Sequence, residues 1–572
     1  MATLSQNAKQ VLRARYLLKD KNGRTIETSD DMFKRVAKHV SKAETTNQAF
    51  WENAFYQALK HLDFLPNSPT LMNAGLKNGQ LSACFVLPVN DSLEEIFTTL
   101  KHAAIIHKSG GGTGFNFSKL RPKGDLVSNA CGVSSGPVSF IEIFDAATEH
   151  IKQGGKRRGA NMGILNCNHP DIELFIKAKS DPLALNNFNL SVGITDAFMD
   201  AVINGRDFEL VNPRLLKVEK NIKAQDLWQL IVEQAWKTGD PGLVFLDTIN
   251  AYNPTPNLNA INCTNPCGEV PLLDYESCNL ASINLPQMLK DETGKVSIDW
   301  DKLARITALA VRFLDDVITT NHYLIKEIKS RTLQNRKIGL GVMGWADMLI
   351  ALRIPYASNQ ALILAERLMK FIQDESRKSS HKLSIEKQPF PQWQNSIYAS
   401  KRSLRNATTN SIAPTGSISI IADTTYSIEP LYALAFKRSG ILNNTTQFVI
   451  NKMLVKTLKQ LGTWNAVVKS NIETSGSIQN LKGIDSSIKD LFKTSTEIPW
   501  KYHLLHQRAF QKYTDNAVSK TINLPQDTPP KTISKIYMTA WKYKLKGITI
   551  YRDQSRNRQV LNRCSLNSTS SC

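Results

Sequence analysis

The stretch NPCGEVPLLDYESCNLASINL, residues 265–285, sets two cysteines eleven residues apart among polar and apolar neighbours. Asn265, Cys267 and Glu269 alternate along it, so an extended backbone would project all three side chains to one side. A glutamate can act as a general base, an amide can hold hydroxyl groups, and a thiol can serve as nucleophile or radical carrier. None of the 10 histidines lies in this segment, which disfavours a hydrolase thiol but leaves a histidine from distant sequence open. The pattern therefore predicts a small reactive site built around Cys267.

Composition narrows the class of protein around this site. A chain of 572 residues can form several ordinary domains or one large α/β barrel with attachments. Neither an apolar signal segment nor an apolar run of about 20 residues is present, so we expect a soluble, cytoplasmic protein with no membrane partner. The net charge of +21 favours anionic partners. No aromatic RNA-binding signature or Cys/His finger accompanies it, so phosphorylated small molecules are preferred to stable nucleic-acid binding.

The order of apolar patterns predicts three regions. Residues 1–61 carry helical spacing and form an N-terminal helical region. Residues 62–555 alternate short apolar segments with longer helical ones, which is the rhythm of an α/β fold. Residues 556–572 are polar and predict a flexible tail. Within the α/β region, the Ser, Thr and Lys-rich stretch 472–497 is interpreted as a surface excursion.

Three motifs are interpreted as decoys. GLGVMG, residues 339–344, matches a dinucleotide-binding fingerprint, but the polar segment before it does not predict a strand, so we expect a tight turn leading into a helix. SGGGTGFNFSKL, residues 109–120, lacks the lysine of a nucleotide-phosphate loop, although it can bring backbone close to a ligand. Cys263 and Cys267 have no second Cys or His pair at zinc-binding spacing, so no metal site is predicted.

Longer motifs, in order along nearly the whole chain, resemble the ribonucleotide reductase family. The resemblance implies an α/β fold in which a ten-stranded barrel holds a central finger loop and is preceded by an N-terminal helical layer. The motifs are NSPTLMNAG, LSACFVLPV, SGGGTGFNFSKLRPKGD, IKQGGKRRGANMG, NPCGEVPLLDYESCNLASINL, NATTNSIAPTGSISIIADTTYSIEP and QKYTDNAVSKTINLP, within a match running from VLRARYLLKD to GITIYRDQSR.

The resemblance gives the reactive residues their roles. A thiyl radical at Cys267 would remove the ribose 3′ hydrogen atom, Glu269 would take the 3′-OH proton, and Asn265 would bind the hydroxyls. Cys84 and Cys278 match the pair that supplies a proton and electrons and ends as a disulfide. The presence of all five residues disfavours an inactive nucleotide-binding paralogue.

The remaining cysteines divide into two groups. Cys131, Cys167 and Cys263 match no role in the family and are interpreted as packing residues. Cys564 and Cys572 resemble a tail pair that carries electrons from thioredoxin or glutaredoxin to the buried disulfide, which requires a mobile segment. Two incidental surface thiols are the alternative for this pair.

The resemblance also assigns substrate and effector contacts. Ribonucleotide substrates, with diphosphates preferred to triphosphates, would contact Ser68, Thr70, Pro414, Thr415, Gly416, Ser417, Ile418 and Ser419. Deoxynucleoside triphosphate effectors would contact Asp91, Ser92, Leu93, Arg121 and Lys123, with Gln153 and Arg157 passing the effector's identity to the substrate. Because effectors lie at the subunit interface in dimeric relatives, the resemblance implies a homodimer.

The radical source follows from which motifs are present. One class of the family ends in a glycyl-radical segment that the chain lacks. A second class, fed by a separate metal-containing subunit, uses two adjacent tyrosines, whereas here Tyr551 is followed by Arg552. The resemblance therefore implies adenosylcobalamin as cofactor, with the separate radical subunit as the alternative. We also expect no regulatory ATP-binding domain before the helical region.

Overall fold

Ten strands form one mixed sheet in the computed structural model, which describes residues 4–126, 132–153, 157–438 and 447–555. Their order in the sheet is β1-β7-β2-β3-β4-β5-β6-β10-β9, and β8 pairs with β7. In chain order the strands are β1 (Phe64–Pro66), β2 (Cys84–Val86), β3 (Gly112–Asn116), β4 (Asn161–Asn166), β5 (Phe188–Ile194), β6 (Gly242–Phe245), β7 (Ser277–Asn284), β8 (Ile338–Met343), β9 (Thr521–Leu524) and β10 (Gly547–Arg552).

Three groups of parallel strands and the single strand β1, which is antiparallel to β7, make up the sheet. Strands β2 to β6 run parallel to one another, as do β7 with β8 and β9 with β10. The groups meet through antiparallel pairs, β7 with β2 and β6 with β10. Single bridges from Leu340 to Asn410 and from Ile412 to Val518 connect β8 to the segment before β9. The sheet therefore closes on itself, and the predicted α/β barrel is confirmed.

Helices surround the barrel and precede it. The helices are α1 (Gln6–Val11), α2 (Ser29–Val40), α3 (Gln48–Lys60), α4 (Ser68–Asn73), α5 (Leu93–Lys108), α6 (Pro137–His150), α7 (Ile172–Lys177), α8 (Asp196–Asn204), α9 (Ala224–Thr238), α10 (Leu246–Ala251), α11 (Trp300–Thr320), α12 (Lys326–Asn335), α13 (Trp345–Ala351), α14 (Asn359–Lys387), α15 (Ile418–Ala422), α16 (Lys452–Gln460), α17 (Ala466–Ser475), α18 (Ser486–Leu491), α19 (Trp500–Gln511) and α20 (Pro530–Lys542). A π-helical turn, Leu12–Tyr16, follows α1 directly.

The N-terminal helices form a layer because each presents one apolar face. In α2 the Thr28 side chain and Asp31 form a reciprocal capping box that fixes the first turn. Met32, Val36 and Val40, at helical spacing, are buried against the same core as α11 and α14. This layer lies over β1, β7 and β8, so its first residues reach the barrel mouth.

Strand β8 corrects the interpretation of residues 339–344 as a tight turn. Residues Ile338–Met343 are a fully buried barrel strand, and only Gly344, with φ of 80°, forms the turn into α13. A Cβ at Gly341 would lie 2.2 Å from the backbone oxygen of Ser411, so glycine lets residues 409–412 pack against the strand. The prediction failed because it was based on the polar segment before the motif. A strand that is buried on both faces is marked by its own apolar residues, whatever precedes it.

The stretch 472–497 is also more than a surface excursion. It contains part of α17 and all of α18, and it contributes to an apolar cluster of its own outside the barrel. Ile472, Ile478, Ile488 and Phe492 are buried there. The Ser and Lys residues between them hid the apolar spacing in the sequence.

Candidate active site

The finger loop is a short hairpin inside the barrel. Strands Cys263–Thr264 and Pro271–Leu272 pair antiparallel, and residues 265–270 form the turn between them. The Asn265 Oδ1 atom accepts a hydrogen bond from the Val270 amide at 3.0 Å, and the Gly268 amide donates to the Asn265 carbonyl at 3.0 Å. Gly268 has φ of 80°, a conformation that favours glycine. The segment is thus a tight turn, which corrects the extended backbone assumed from the alternation.

Glycines of strand β3 let the finger approach the sheet. A Cβ on Gly114 would lie 1.8 Å from the Thr264 carbonyl oxygen, and one on Gly112 would lie 2.8 Å from the Pro266 ring. No side chain fits at Gly114 without displacing the finger backbone. The glycine-rich motif therefore positions the finger, as its predicted capacity for close backbone approach suggested.

Polar groups from three other parts of the chain hold the turn. The Asn189 side chain donates to the Pro266 carbonyl at 2.8 Å. The Glu269 carbonyl accepts from the Ser411 hydroxyl at 2.8 Å and from the Ala517 amide at 2.9 Å. Because buried backbone groups are costly to leave without partners, these bonds fix the height of the turn in the barrel.

The three residues of the turn that were predicted to react line one open cavity of about 320 Å³. Cys267 is exposed at the tip, whereas Asn265 and Glu269 are both 2% exposed. Cys84 lines the same cavity from strand β2. The Asn265 Nδ2 atom donates to the Cys84 sulfur at 3.1 Å, which links the finger to the sheet. The arrangement brings a thiol, an amide, a carboxylate and a second thiol to one place.

Cys84 and Cys278 face each other across the antiparallel pair of β2 and β7. Directly opposed residues in such a pair have Cα atoms about 4.5–5.5 Å apart, which lies within the range that a disulfide spans. Cys84 lines the cavity, while Cys278 is 1% exposed and lies behind it. Burial raises the pKa of the Cys278 thiol, so this sulfur is held as the neutral thiol. The geometry therefore permits the predicted disulfide between Cys84 and Cys278.

Five of the predicted substrate residues from the 410–420 motif line the cavity, namely Pro414, Thr415, Gly416, Ser417 and Ile418. Thr415 has φ of 58°, and its hydroxyl pairs with that of Ser419 at 2.7 Å. Ser419 itself is buried and does not line the cavity. The motif therefore presents a turn of backbone to the site, with Ser419 as its support.

The earlier motif NSPTL contributes one residue directly. Ser68 lines the cavity, and its hydroxyl lies 2.8 Å from that of Tyr16. Thr70 is buried outside the cavity wall, where its hydroxyl donates to Asn67 Oδ1 at 2.8 Å. Asn67, which itself lines the cavity, caps α4 by accepting from the Thr70 amide at 3.0 Å, so Thr70 supports the wall from behind.

Sequence reasoning missed the contribution of the N-terminal layer. Arg15 and Tyr16, in the π-helical turn, line the cavity, and Arg15 is the only basic side chain among its described lining residues. Ser282, from β7, lies there as well. The cluster of basic and aromatic residues in VLRARYLLKD was the available signal, but its distance in sequence from the finger gave no reason to connect the two.

The predicted effector residues lie together at the start of α5. The Arg121 Nε atom is 2.8 Å from Asp91 Oδ2, and the Arg121 amide also donates to Asp91. Ser92 caps α5, and Leu93 is 64% exposed. The Lys123 amide donates to Asp171 at 2.8 Å.

Other predicted residues lie at or beyond the limits of the described structure. Gln153 and Arg157 are opposite each other in a short hairpin. Cys131, Cys564 and Cys572 lie outside the described residues. Cys167 and Cys263 are buried, as packing residues would be, and burial raises the pKa of Cys167 to about 11.

The part of the chain that the structure describes offers neither a metal-binding cluster nor a membrane-spanning helix. Within those ranges, no group of three or more His, Cys, Asp or Glu side chains is placed to hold a metal ion. Every helix in the same ranges is too short or too polar to cross a membrane.

The chain is similar to known proteins along nearly its whole length. Residues 2–79 match the description "Ribonucleotide reductase, all-alpha domain", and residues 82–403 and 399–551 match "Ribonucleotide reductase, barrel domain". The chain is 48% identical to the vitamin B12-dependent ribonucleoside-diphosphate reductase of Thermoplasma acidophilum, over 98% of this chain and 80% of that protein. It is 46% identical to the protein of the same name from Mycobacterium tuberculosis, over 98% of this chain and 80% of that one.

A solved structure supports the fold on separate grounds. The Actinobacillus ureae class Id ribonucleotide reductase alpha subunit matches with a TM-score of 0.79 over 96% of this chain and 97% of that one, at 24% identity. At this identity the likeness shows the fold alone. With both domain descriptions matched and relatives near half identical over almost its full length, the chain belongs to the ribonucleotide reductase family.

Proposed function

We propose that the chain reduces ribonucleoside diphosphates to 2′-deoxyribonucleoside diphosphates by radical chemistry at Cys267. The observation that carries this proposal is the exposed Cys267 thiol at the tip of the finger, beside Asn265 and Glu269 and in the same cavity as Cys84. The names of the relatives, which specify ribonucleoside-diphosphate reduction, support the choice of substrate class.

The reaction begins at the ribose 3′ carbon. The Cys267 sulfur, as a thiyl radical, takes the 3′ hydrogen atom, so a C–H bond breaks and an S–H bond forms. The two bonds are close in strength, which makes the step reversible. Glu269 accepts the 3′-OH proton as general base, and Asn265 holds the hydroxyls. The hydrogen bonds from Ser411 and Ala517 to the Glu269 backbone carbonyl fix the position of this residue, and so of its carboxylate, in the barrel.

Reduction at the 2′ carbon consumes the Cys84 and Cys278 thiols. The 2′-OH leaves as water after it gains a proton, and Cys84 is the thiol that lines the cavity and can donate it. Cys84 and Cys278 then supply two electrons and become a disulfide, which their register permits. Cys267 returns its hydrogen atom to the 3′ carbon. The balance is one ribonucleotide and two thiols to one deoxyribonucleotide, one disulfide and one water.

The relatives' names specify dependence on vitamin B12, which confirms the predicted cobalamin cofactor, adenosylcobalamin. When bound, it would supply the radical that takes the hydrogen atom of the Cys267 thiol. The residues present fit such a group, because a Cβ on Gly268 or Gly416 would meet no described atom within 4 Å, leaving open space beside the exposed thiol. Gly112, Ala160 and Pro266 line the cavity next to this space and would contact the bound group.

The substrate phosphates would lie between the turn at residues 414–418 and Arg15. The guanidinium is the one positive charge among the described lining residues, and it is exposed at the cavity. Arginine binds phosphate oxygens through paired donors. Ser68 and its partner Tyr16 would contact the nucleotide from the same side.

Control of specificity is proposed for the start of α5. A deoxynucleoside triphosphate would use Asp91, Ser92 and Leu93 for its base and sugar, and Arg121 and Lys123 for its phosphates. Gln153 and Arg157 would carry the signal towards the substrate. Leu93 and Phe97, on one face of α5, are 64% and 50% exposed, which supports burial of this face in a homodimer.

Turnover requires renewal of the Cys84–Cys278 thiols. We assign this to thioredoxin or glutaredoxin, acting through the tail cysteines Cys564 and Cys572. Thiol chemistry of this kind operates in a reducing compartment, which supports a cytoplasmic location.

The test is anaerobic conversion of CDP with dithiothreitol, with dTTP and dATP added in turn, comparing added adenosylcobalamin with none. Deoxycytidine diphosphate should form only with the cofactor and disappear in Cys267→Ala. Product that instead requires a metal-loaded radical subunit would reject adenosylcobalamin in favour of the alternative source.

A further inference from the structure

A buried ion pair lies beside the Cys84–Cys278 pair and takes no part in the reaction described above. The Lys337 Nζ atom is 2.6 Å from Glu276 Oε2, and the two side chains are 2% and 1% exposed. Glu276 also accepts from the Leu273 amide at 2.7 Å and from the Asn335 side chain. Removing two charges from water is costly, and an ion pair so deeply buried is weak evidence for stability alone.

The register of the sheet places this ion pair beside Cys278. Strand β7 pairs with β8 in parallel, with Asn279 opposite Ile338. Cys278 and Lys337 each precede this pair by one residue, and Cys278 is paired with Cys84 on β2 at its other side. Glu276 directly precedes β7, and its carboxylate holds the Lys337 ammonium. The ion pair therefore adjoins Cys278 from the side of β8, whereas Cys84 adjoins it from the side of β2.

We propose that Lys337, held by Glu276, is a positioning residue that stabilises the Cys278 thiolate when an incoming thiol reduces the Cys84–Cys278 disulfide. This inference rests on the redox role proposed for the two cysteines. It adds which of the two sulfurs the incoming thiol attacks and which charged group favours departure of the other.

The cavity decides which sulfur is attacked. Cys84 lines it and Cys278 does not, so a thiolate entering from solvent reaches the Cys84 sulfur first. A new S–S bond forms to Cys84, the Cys84–Cys278 bond breaks, and its electron pair goes to the Cys278 sulfur. A second thiolate then releases Cys84, and each protein sulfur takes up a proton.

The surroundings of the leaving Cys278 sulfur disfavour its negative charge. Burial raises the pKa of Cys278, which makes it a poor leaving group, and the carboxylates of Glu276 and Glu269 act in the same direction. Lys337 is the charged group that acts against them. Its ammonium therefore has the sign and the location needed to speed departure of the thiolate.

The rate of reduction tests the role of the ammonium. The protein is oxidised with diamide, the disulfide is verified by peptide mass spectrometry, and 2-mercaptoethanol is added with N-ethylmaleimide quenching. Reduction in Lys337→Met/Glu276→Gln should be about tenfold slower than in Glu276→Gln, since these two variants differ only in the Lys337 ammonium beside the leaving sulfur. Lys179→Met, which breaks a buried ion pair with Asp240 elsewhere, should retain the wild-type rate.

Glu276→Gln alone separates charge from packing. It keeps the ammonium and removes the opposing carboxylate, so reduction should match or exceed the wild-type rate. Equal rates in Glu276→Gln and in the double variant, or a rate in Glu276→Gln below that of the wild type, would overturn the proposal.

The mixed disulfide tests the direction of attack. Trapping at early times should give the 2-mercaptoethanol adduct on Cys84 and the maleimide on Cys278, and the reverse pattern overturns the proposal. One turnover with CDP distinguishes the two levels of inference. If wild-type protein forms no Cys84–Cys278 disulfide, the proposed function fails as well, whereas a normal disulfide with equal reduction in the double variant and in Glu276→Gln overturns only the role of Lys337.

Discussion

The finger turn at residues 265–270 and strand β7 lie next to each other in sequence and hold their cysteines in opposite ways. Cys267 is exposed at the tip of the turn, and Cys278 is 1% exposed within the strand. The turn is held by hydrogen bonds to its backbone, whereas the strand positions Cys278 by register against Cys84. A radical thiol must meet both its initiator and the ribose, while a redox pair needs a fixed separation. The two surroundings match those two requirements.

The largest effect that this comparison predicts is that of Cys267→Ala set against Cys278→Ala. The first should abolish deoxynucleotide formation, yet change the free energy of unfolding by no more than about 0.5 kcal/mol, because the side chain is exposed. The second removes a buried sulfur, so it should lower the free energy of unfolding by about 1 kcal/mol. It should also stop turnover. CDP assays and chemical denaturation measure both. The reverse order of stability losses would mean that the finger, not the strand, depends on its cysteine for packing.

Glu269→Gln tests whether the turn acts through one carboxylate. The substitution retains side-chain volume, and the bonds from Ser411 and Ala517 go to the backbone carbonyl, so the turn should keep its place. Loss of a general base should lower kcat by about 10²–10⁴-fold with little change in Tm. Steady-state kinetics and thermal unfolding provide the measurements. A large fall in Tm would show instead that the carboxylate holds the fold.

Gly114→Ala breaks the contact between the finger and the sheet. The new methyl group would lie 1.8 Å from the Thr264 oxygen, so either the finger or β3 must shift. We expect a loss of about 1–3 kcal/mol in unfolding free energy, typical of overpacking, together with most of the activity. Gly132→Ala is the control, because its Cβ would meet no described atom within 4 Å. Equal effects of the two substitutions would contradict the close approach.

How far the sequence predicted this arrangement depends on the range of the interaction. The Cys267, Glu269 and Asn265 group is local and could be recognised from residue chemistry, although the turn was taken for an extended segment. Nothing local pairs Cys84 with Cys278, which lie on strands far apart in the chain. That pairing came from the family resemblance, and the register of β2 with β7 then placed the two residues opposite each other.

Two further features could not be predicted, for different physical reasons. Strand β8 contains two glycines because residues 409–412 pack onto it, and that demand is visible only in three dimensions. Arg15 reaches the cavity because the N-terminal layer covers β1, β7 and β8, a packing choice that helical periodicity does not specify. In both cases tertiary contact, not local propensity, decides the outcome.

Arg15→Ala extends the comparison to the phosphate side of the cavity. Loss of a charge-assisted contact should raise KM for CDP about tenfold and leave kcat nearly unchanged. Arg13→Ala, in the same π-helical turn but outside the cavity wall, should behave as the wild type. Steady-state kinetics at constant ionic strength compare the two. A matching rise in KM for both variants would indicate a general effect of surface charge.

Ser411→Ala should have the smallest effect and tests how rigidly the turn must be held. The hydroxyl donates to the Glu269 carbonyl at 2.8 Å, but that oxygen keeps the Ala517 amide at 2.9 Å, so it does not lose every partner. We therefore expect a loss of about 1 kcal/mol in unfolding free energy and a fall of a few-fold in kcat. Denaturation and CDP kinetics on the same preparation measure the two together. If kcat falls instead as far as in Glu269→Gln, the position of the carboxylate depends on this one bond, and the turn is far less tolerant of displacement than strand β7.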